Sequence, residues 1–591
     1  MGRERRLITW ELGRCQARDR CRRLTAHACA QTTVSRPYLH TLTALPIRPL
    51  QHRVPSPRVI HDRERGDLRV RRILVSTVLV AGLVAVPLPG VAQGGGGHCD
   101  FDGDGYDDAA IGVPTDDPGG VANAGAVNVL YGSGAKLTSQ GDQLWTQDSP
   151  NVGGSAESSD QFGLSVECGD FNDDGFDDLA VGAAGEDVAG ENNAGALHIL
   201  FGSGSGLTAD NSELIHRNVV GVAGQIDGPD LFGWSLAVGD FDDDGHDDLA
   251  VGANADSVGG ADGAGSIQVF YGFAGGLSTS NDEIWHRAKQ GVKGTAALGD
   301  QFGASLAAGD FDGDGYDDVA IGAPFDDIGG FADAGSVSVL YGSSDGVTGA
   351  GDDLYHRNSS GVKASPFHDD WFGHAVAAGD FDGDGYDDLA VSVPFDDPVG
   401  MSGAGSVQVL LGGPNGVKTG GDKVWHRAKK GIKGVPGAGD MFGWSLTTGR
   451  FDSGGTEDLA VGVISDEVGG MSAGSVHVIY GGGNGLTNAG DQIWHQGRKG
   501  VKGANEDTER FGSSVSAGDF NDNGEDDLLI GVPGEGVGAI LGAGRVSVIY
   551  GKNQGLDAAG DQSWSQDSPG IRGVPENFDQ MGQAVSGQAT D

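Results

Sequence analysis

With 591 residues, 108 of them glycine and only 7% aromatic, the chain has the length of several ordinary domains or of one large all-β domain built by repetition. Its formal charge of −46 excludes nucleic acid and anionic membrane as partners and suits a protein that binds cations. Beyond residue 92 no apolar run reaches the roughly 18 residues of a membrane-spanning helix.

Residues 1–67 are Arg-rich, aperiodic and foreign in composition to the rest of the chain. A start codon assigned too early, with initiation near Leu68 or Val70, accounts for them; a real disordered extension is the alternative. Arg69, Arg71 and Arg72 then precede an apolar stretch from Ile73 to Pro87 and small residues up to Ala92. Charged start, short apolar core and small-residue cleavage site make residues 68–92 a signal peptide. The expected location is therefore extracellular, secreted or at the cell surface.

Internal repetition organises the remainder. Acidic loops begin at Asp100, Asp170, Asp240, Asp310, Asp380, Arg450 and Asp519, five spacings being 70 residues and the last 69. A second marker keeps step at Trp145, Ile215, Trp285, Tyr355, Trp425, Trp494 and Trp564. A third, Phe-Gly, falls at Phe162, Phe232, Phe302, Phe372, Phe442 and Phe511, with Met581 in the last equivalent place.

Each repeat reads as four short strands. In the fourth, residues 301–308 form a first strand, the acidic loop Asp310–Asp318 comes next, and residues 319–324 form a second strand ended by proline. Residues 335–341 alternate at period two, and residues 353–357 make a fourth strand. Four antiparallel strands repeated radially predict an all-β, seven-bladed β-propeller over 98–588. No Phe-Gly strand precedes the Asp100 loop, whereas the last Phe-Gly-like segment, residues 579–586, stops where an acidic loop would start. The C-terminal strand is thus expected to join the first blade and close the ring, which protects the edge strands. Cys15, Cys21 and Cys29 lie in the extension, leaving Cys99 and Cys168. Export permits a disulfide between them, because they sit beside successive acidic loops and could face each other on neighbouring blades.

Phe-Gly, the acidic loop and Gly322-Ala323-Pro324 together resemble the FG-GAP repeats of the integrin α-subunit propeller. The resemblance covers about residues 98–588. Ser392-Val393-Pro394 and Gly462-Val463-Ile464 depart from the Gly-Ala-Pro pattern.

Alternate carboxylates in a tight loop can converge on a hard cation, and Ca²⁺ takes six to eight oxygens. Positions 1, 3, 5 and 9 are Asp310, Asp312, Asp314 and Asp318 in the fourth loop. They are Asp100, Asp102, Asp104 and Asp108 in the first loop, and Asp170, Asn172, Asp174 and Asp178 in the second. The third has Asp240, Asp242, Asp244 and Asp248, and the fifth Asp380, Asp382, Asp384 and Asp388. The seventh has Asp519, Asn521, Asn523 and Asp527, with less charge and weaker expected affinity. The resemblance implies a further ligand from the position-7 carbonyl, that of Tyr106, Phe176, His246, Tyr316, Tyr386 and Glu525. About six Ca²⁺ sites are expected, and none in the sixth loop, where Arg450 stands in first place and a glycine in fifth. A β-branched residue at position 12 in the first five loops, and flanking strands, exclude an EF-hand.

The recurring His216, His286, His356, His426 and His495 read as parts of the fold, and no hydrolase motif stands out, so the chain is expected not to be an enzyme. The connections between one repeat's fourth strand and the next repeat's first hold basic residues: Arg287, Lys289 and Lys293; Arg427, Lys429, Lys430 and Lys433; Arg498, Lys499 and Lys502. They read either as charge balance or as a patch for an acidic glycan or protein. The resemblance implies that partners bind this face, opposite the metal loops. The expected function is a monomeric, secreted, calcium-binding module for cell adhesion or ligand binding, with a protein or glycan partner. A purely structural surface protein is the alternative, and a hydrolase- or phospholipase-associated propeller a more remote one.

Overall fold

A computed structural model describes residues 99–586, apart from residue 227. The extension and the signal peptide expected over 1–67 and 68–92 lie outside the described residues. Seven four-stranded antiparallel sheets succeed one another along the chain, with two additional two-residue ribbons. Among the described residues the only helical segments are two three-residue 3-10 turns, Pro118–Gly120 and Pro398–Gly400. None is long and apolar enough to cross a membrane.

The fourth blade shows why these residues form strands. Ser305–Gly309, Asp318–Ala323, Ser336–Tyr341 and Thr348–Tyr355 pair in sequence order. The first three are almost wholly buried, consistent with their continuous small and β-branched side chains. Two boundaries differ from those expected of the sequence. Residues 301–304 are not strand, because Gln301 has φ 55° and turns the chain. The fourth strand begins earlier, at Thr348, and ends at Tyr355, leaving His356 and Arg357 in the connection to the next blade.

Phe-Gly segments join the blades. The Phe302 N–H donates to Ala264 O of the preceding blade at 2.9 Å, and Phe162, Phe232, Phe372, Phe442 and Phe511 do the same to the equivalent Ala. Met581 closes the series by donating to Ala543 O. The Gly of Gly-Ala-Pro is steric: a Cβ on Gly322 would meet Gly373 O and Ser305 Oγ, both at 2.2 Å. In the fifth blade Ser392 occupies this place. There the residue equivalent to Ser305 is Ala375, whose N–H donates to Ser392 Oγ at 3.0 Å. The hydroxyl has moved from one strand to its neighbour.

The ring closes as the unmatched chain ends imply. Val585–Ser586 pairs with Ala109–Val113 through Ile111–Val585 and Ala110–Ser586. Cys99 completes that inner edge, its carbonyl accepting the Asp108 N–H at 2.7 Å. A disulfide joins Cys99 to Cys168 on the inner strand of the second blade.

Candidate metal loops and the opposite face

Antiparallel order places the acidic loops and the turns between third and fourth strands at one end of each blade. Connections between second and third strands, and between successive blades, lie at the other.

Each acidic loop is folded by its own side chains. Asp310 Oδ1 accepts the Asp314 N–H at 3.2 Å and Oδ2 accepts the Gly315 N–H at 3.0 Å, and Asp100, Asp170, Asp240, Asp380 and Asp519 repeat this. Gly315 sits at φ 94°, which a residue with a Cβ rarely adopts. Asp314 Oδ1 accepts the Tyr316 N–H at 3.2 Å, and the same contact recurs at Tyr106, Phe176, His246, Tyr386 and Glu525. At position 9, Asp318 ties two turns together, accepting from Phe311 N–H at 3.0 Å and Gly342 N–H at 2.9 Å.

Carboxylate oxygens converge in four loops. Asp100, Asp102 and Asp108, then Asp240, Asp242 and Asp248, then Asp310, Asp312 and Asp318, then Asp380, Asp382 and Asp384 each bring one oxygen within 4.8 Å of the others. Asp102 Oδ1, Asp242 Oδ1, Asp382 Oδ1 and Asp388 Oδ2 are buried and accept no hydrogen bond. Burial pushes Asp178 and Asp388 up to about 8, and Asp248 and Asp318 to about 9; neighbouring loop carboxylates add to the rise. Buried, mutually repelling oxygens without donors suit a hard divalent cation. The donor set therefore fits such an ion.

The remaining predicted loops differ. Asn172 Nδ2 donates to Asp178 Oδ2 at 3.0 Å, and Asn521 Nδ2 to Asp527 Oδ2 at 2.7 Å. In these loops Asp170 and Asp519 accept the N–H groups of positions 5 and 6, and Asp174 and Asn523 accept those of Phe176 and Glu525. In the sixth loop Arg450 is exposed, and among the described residues no ion pair joins it to Asp452 or Asp458. Its charge is felt instead by Glu457 and Asp526.

Sequence reasoning missed the position-8 carboxylates. Asp177 Oδ2 accepts the Asp100 N–H at 2.7 Å, and Asp247, Asp317 and Asp387 do the same for Asp170, Asp240 and Asp310. Asp526 accepts from Arg450, and Asp107 from Asp519 across the ring closure. The signal was present as the first acidic residue of the Asp-Asp pair that ends each of these loops, but only the ring shows that it reaches the adjacent loop.

The basic residues of the other face are largely engaged. Arg427 is buried, its Nη1 2.9 Å from Asp440 and 2.6 Å from Asp466, so it is not offered to a partner. Arg217, Arg287 and Arg357 hold Asp256, Asp326 and Asp396 of the next blade in the same way. Three blades have Gln in place of this Arg: Gln147 donates to Glu186 at 2.6 Å and Gln496 to Glu535 at 3.1 Å, whereas Gln566 stands beside Asp116. Lys289 and Lys429 place Nζ 3.2 and 3.6 Å from the ring centres of Trp285 and Trp425, and the Arg498 guanidinium lies 3.6 Å from that of Trp494. Lys293 and Lys433 bond the carbonyls of Asp352 and Asp491 in the following blade, and the Lys502 N–H donates to Asp561. Lys430 and Lys499 are exposed. Three of the repeated histidines, His216, His286 and His356, cap turns, as His286 Nδ1 accepts the Ala288 N–H at 3.2 Å, whereas His426 Nδ1 and His495 Nδ1 are buried and make no hydrogen bond.

Comparison with known proteins agrees with this architecture. The FG-GAP repeat model matches residues 162–200, 232–270, 302–340, 372–410 and 511–549, each stretch running from Phe-Gly through the acidic loop to the third strand. The chain is an FG-GAP repeat β-propeller. Within that class it is integrin-α-like: it is 31% identical to integrin alpha-PS2 of Drosophila melanogaster over 241 residues, covering 40% of this chain and 15% of that one. It is 31% identical to integrin alpha pat-2 of Caenorhabditis elegans over 252 residues, covering 39% and 18%. It is also 37% identical to phosphatidylinositol-glycan-specific phospholipase D of Rattus norvegicus over 166 residues, covering 28% and 18%. The match spans less than a fifth of each relative's length. One of these relatives is named as an enzyme and the integrin subunits are not.

Proposed function

We propose that the chain is an exported, calcium-stabilised propeller whose metal-free face binds an extracellular protein or glycan, without catalysis and as a monomer. The observation that carries this reading is the set of three-carboxylate clusters at one end of the first, third, fourth and fifth blades, three of which hold an orphaned, buried carboxylate oxygen. Asp100, Asp102 and Asp108, and their counterparts in the third, fourth and fifth blades, would hold Ca²⁺. The bound ion would neutralise their repulsion and fix the loop ends. The Asp170 and Asp519 loops would complete about six sites once Asn172 and Asn521 turn their amide oxygens to the ion, and the Arg450 loop would take none. An ion enclosed by protein oxygens lacks the open position that metal catalysis needs.

The engagement of Lys293, Lys433 and Arg427 between blades favours a second reading, a purely structural surface protein. Thermal unfolding and a glycan and protein array, each with Ca²⁺ and with chelator, separate the two. Retention of an array ligand in Ca²⁺ supports binding. A large Ca²⁺-dependent rise in melting temperature with no ligand retained supports the structural reading. An unchanged melting curve in excess chelator defeats both.

A further inference from the structure

A cavity of about 480 Å³ opens on the face away from the acidic loops, and its walls come from the third to seventh blades. Aromatic rings dominate it. Trp371 packs edge-on against Phe325 and Phe395 at 4.8 and 4.4 Å between ring centres, and His374 lies 4.6 Å from Trp444. Trp371, Met441 and Arg510, each just before a Phe-Gly pair, enter the wall from left-handed backbone at φ 59°, 59° and 60°.

Three polar groups in this apolar wall have no protein partner. Trp444 Nε1 and His374 Nε2 are buried and make no hydrogen bond, although their residues are only 2% and 3% exposed. Arg510 is half-buried and, among the described residues, forms no ion pair. In a chain with 84 Asp and Glu against 38 Lys and Arg, an arginine without a carboxylate is open to an anion from outside. Burial lowers its proton affinity, and no neighbouring charge adjusts it. Burial also drives His374 down to about 3, so its ring is neutral and accepts or donates one hydrogen bond.

These groups select the occupant. The cationic Arg510 disfavours a basic side chain. A simple aromatic carboxylate would satisfy Arg510 but leave His374 Nε2 and Trp444 Nε1 unmet. A ring with several hydroxyls and one carboxylate meets all of them, and apolar C–H faces of a pyranose stack on indole. We propose that this cavity binds an acidic sugar ring, its face on Trp371, its carboxylate on Arg510 and its hydroxyls on His374, Trp444 Nε1 and Ser465, which also lines the cavity. The assignment rests on the reading of this side of the propeller as the ligand face.

The test is tryptophan fluorescence titration of the whole Ca²⁺-loaded protein with glucuronate and trigalacturonate, beside glucose and benzoate. Saturable quenching by the acidic sugars, weakened about tenfold or more in Arg510→Gln and Trp371→Ala with unchanged melting temperatures, is expected. Equal response to glucose, an equal or stronger response to benzoate, or no response to either acidic sugar overturns the assignment. If an array ligand is retained in Ca²⁺ but Arg510→Gln and Trp371→Ala bind it unchanged, the ligand-face reading stands and the cavity assignment falls.

Discussion

Replacing Arg357 by Ala removes the clamp between the fourth and fifth blades. Arg357 is 3% exposed; Nη1 lies 2.8 Å from Asp396 Oδ1 and 3.6 Å from Asp370 Oδ2, and Nη2 donates to Asp396 Oδ2 and Ser406 Oγ at 3.0 and 2.7 Å. Burial alone would raise Asp396, yet the hydrogen bond and charge of Arg357 hold it below the ordinary carboxylate range. Asp370, less well compensated, is pushed up by burial to about 6. Without the guanidinium, two buried carboxylates face each other, and breaking such a pair costs about 3–5 kcal/mol. At roughly 2 cal/mol/K of unfolding entropy per residue, a propeller of about 490 residues should lose about 3–5 °C. Calorimetry in saturating Ca²⁺ measures this. The double change Arg357→Gln with Asp396→Glu reproduces the pair found at Gln147 and Glu186 and should recover at least half of the loss. A melting temperature within about a degree of the parent for Arg357→Ala, or a double variant no better than Arg357→Gln alone, would refute the reasoning.

Asp312→Asn should remove or weaken one Ca²⁺ site without unfolding the blade, whereas Asp458→Asn in the Arg450 loop should leave the Ca²⁺ count unchanged; calorimetric titration distinguishes them. Buried His198 is held neutral, driven by burial to about 3, so the unfolded chain takes the proton first. Its stabilising contribution is therefore complete above about pH 6.5 and declines as pH falls toward 3. His198→Gln, which copies Gln268 of the next blade, should flatten the acid side of the stability curve measured by denaturant titration. Replacing both Cys99 and Cys168 by Ser opens a closure of sequence separation 69. Chain entropy gives up to about 4 kcal/mol for a loop of that length, read as a lower denaturant midpoint.

Most of the architecture was legible because the repeat is nearly exact in length. Three markers at one period located seven blades, and the unmatched ends located the closure seen between Ile111 and Val585. The converging Asp clusters were legible because ligands in one loop are local in sequence. What was not legible spans blades. Asp177 reaching Asp100, and Arg357 reaching Asp396, join residues 77 and 39 positions apart. Arg427 looked available because charge predicts exposure, but its buried acidic partners come from different connections. The aromatic cavity was hidden for the same reason: Trp371 and Arg510 take the same place before Phe-Gly in different repeats but differ in chemistry, Trp444 comes from a third repeat, and only the ring assembles them.

The most direct test of the account is a count of tightly bound Ca²⁺ on the purified propeller, by native mass spectrometry with anomalous scattering to place the ions. About six ions, with Asp100, Asp240, Asp310 and Asp380 loops filled and the Arg450 loop empty, is the predicted result. A protein that carries no Ca²⁺ at millimolar concentration, or an ion in the Arg450 loop while the Asp310 loop is empty, would contradict it.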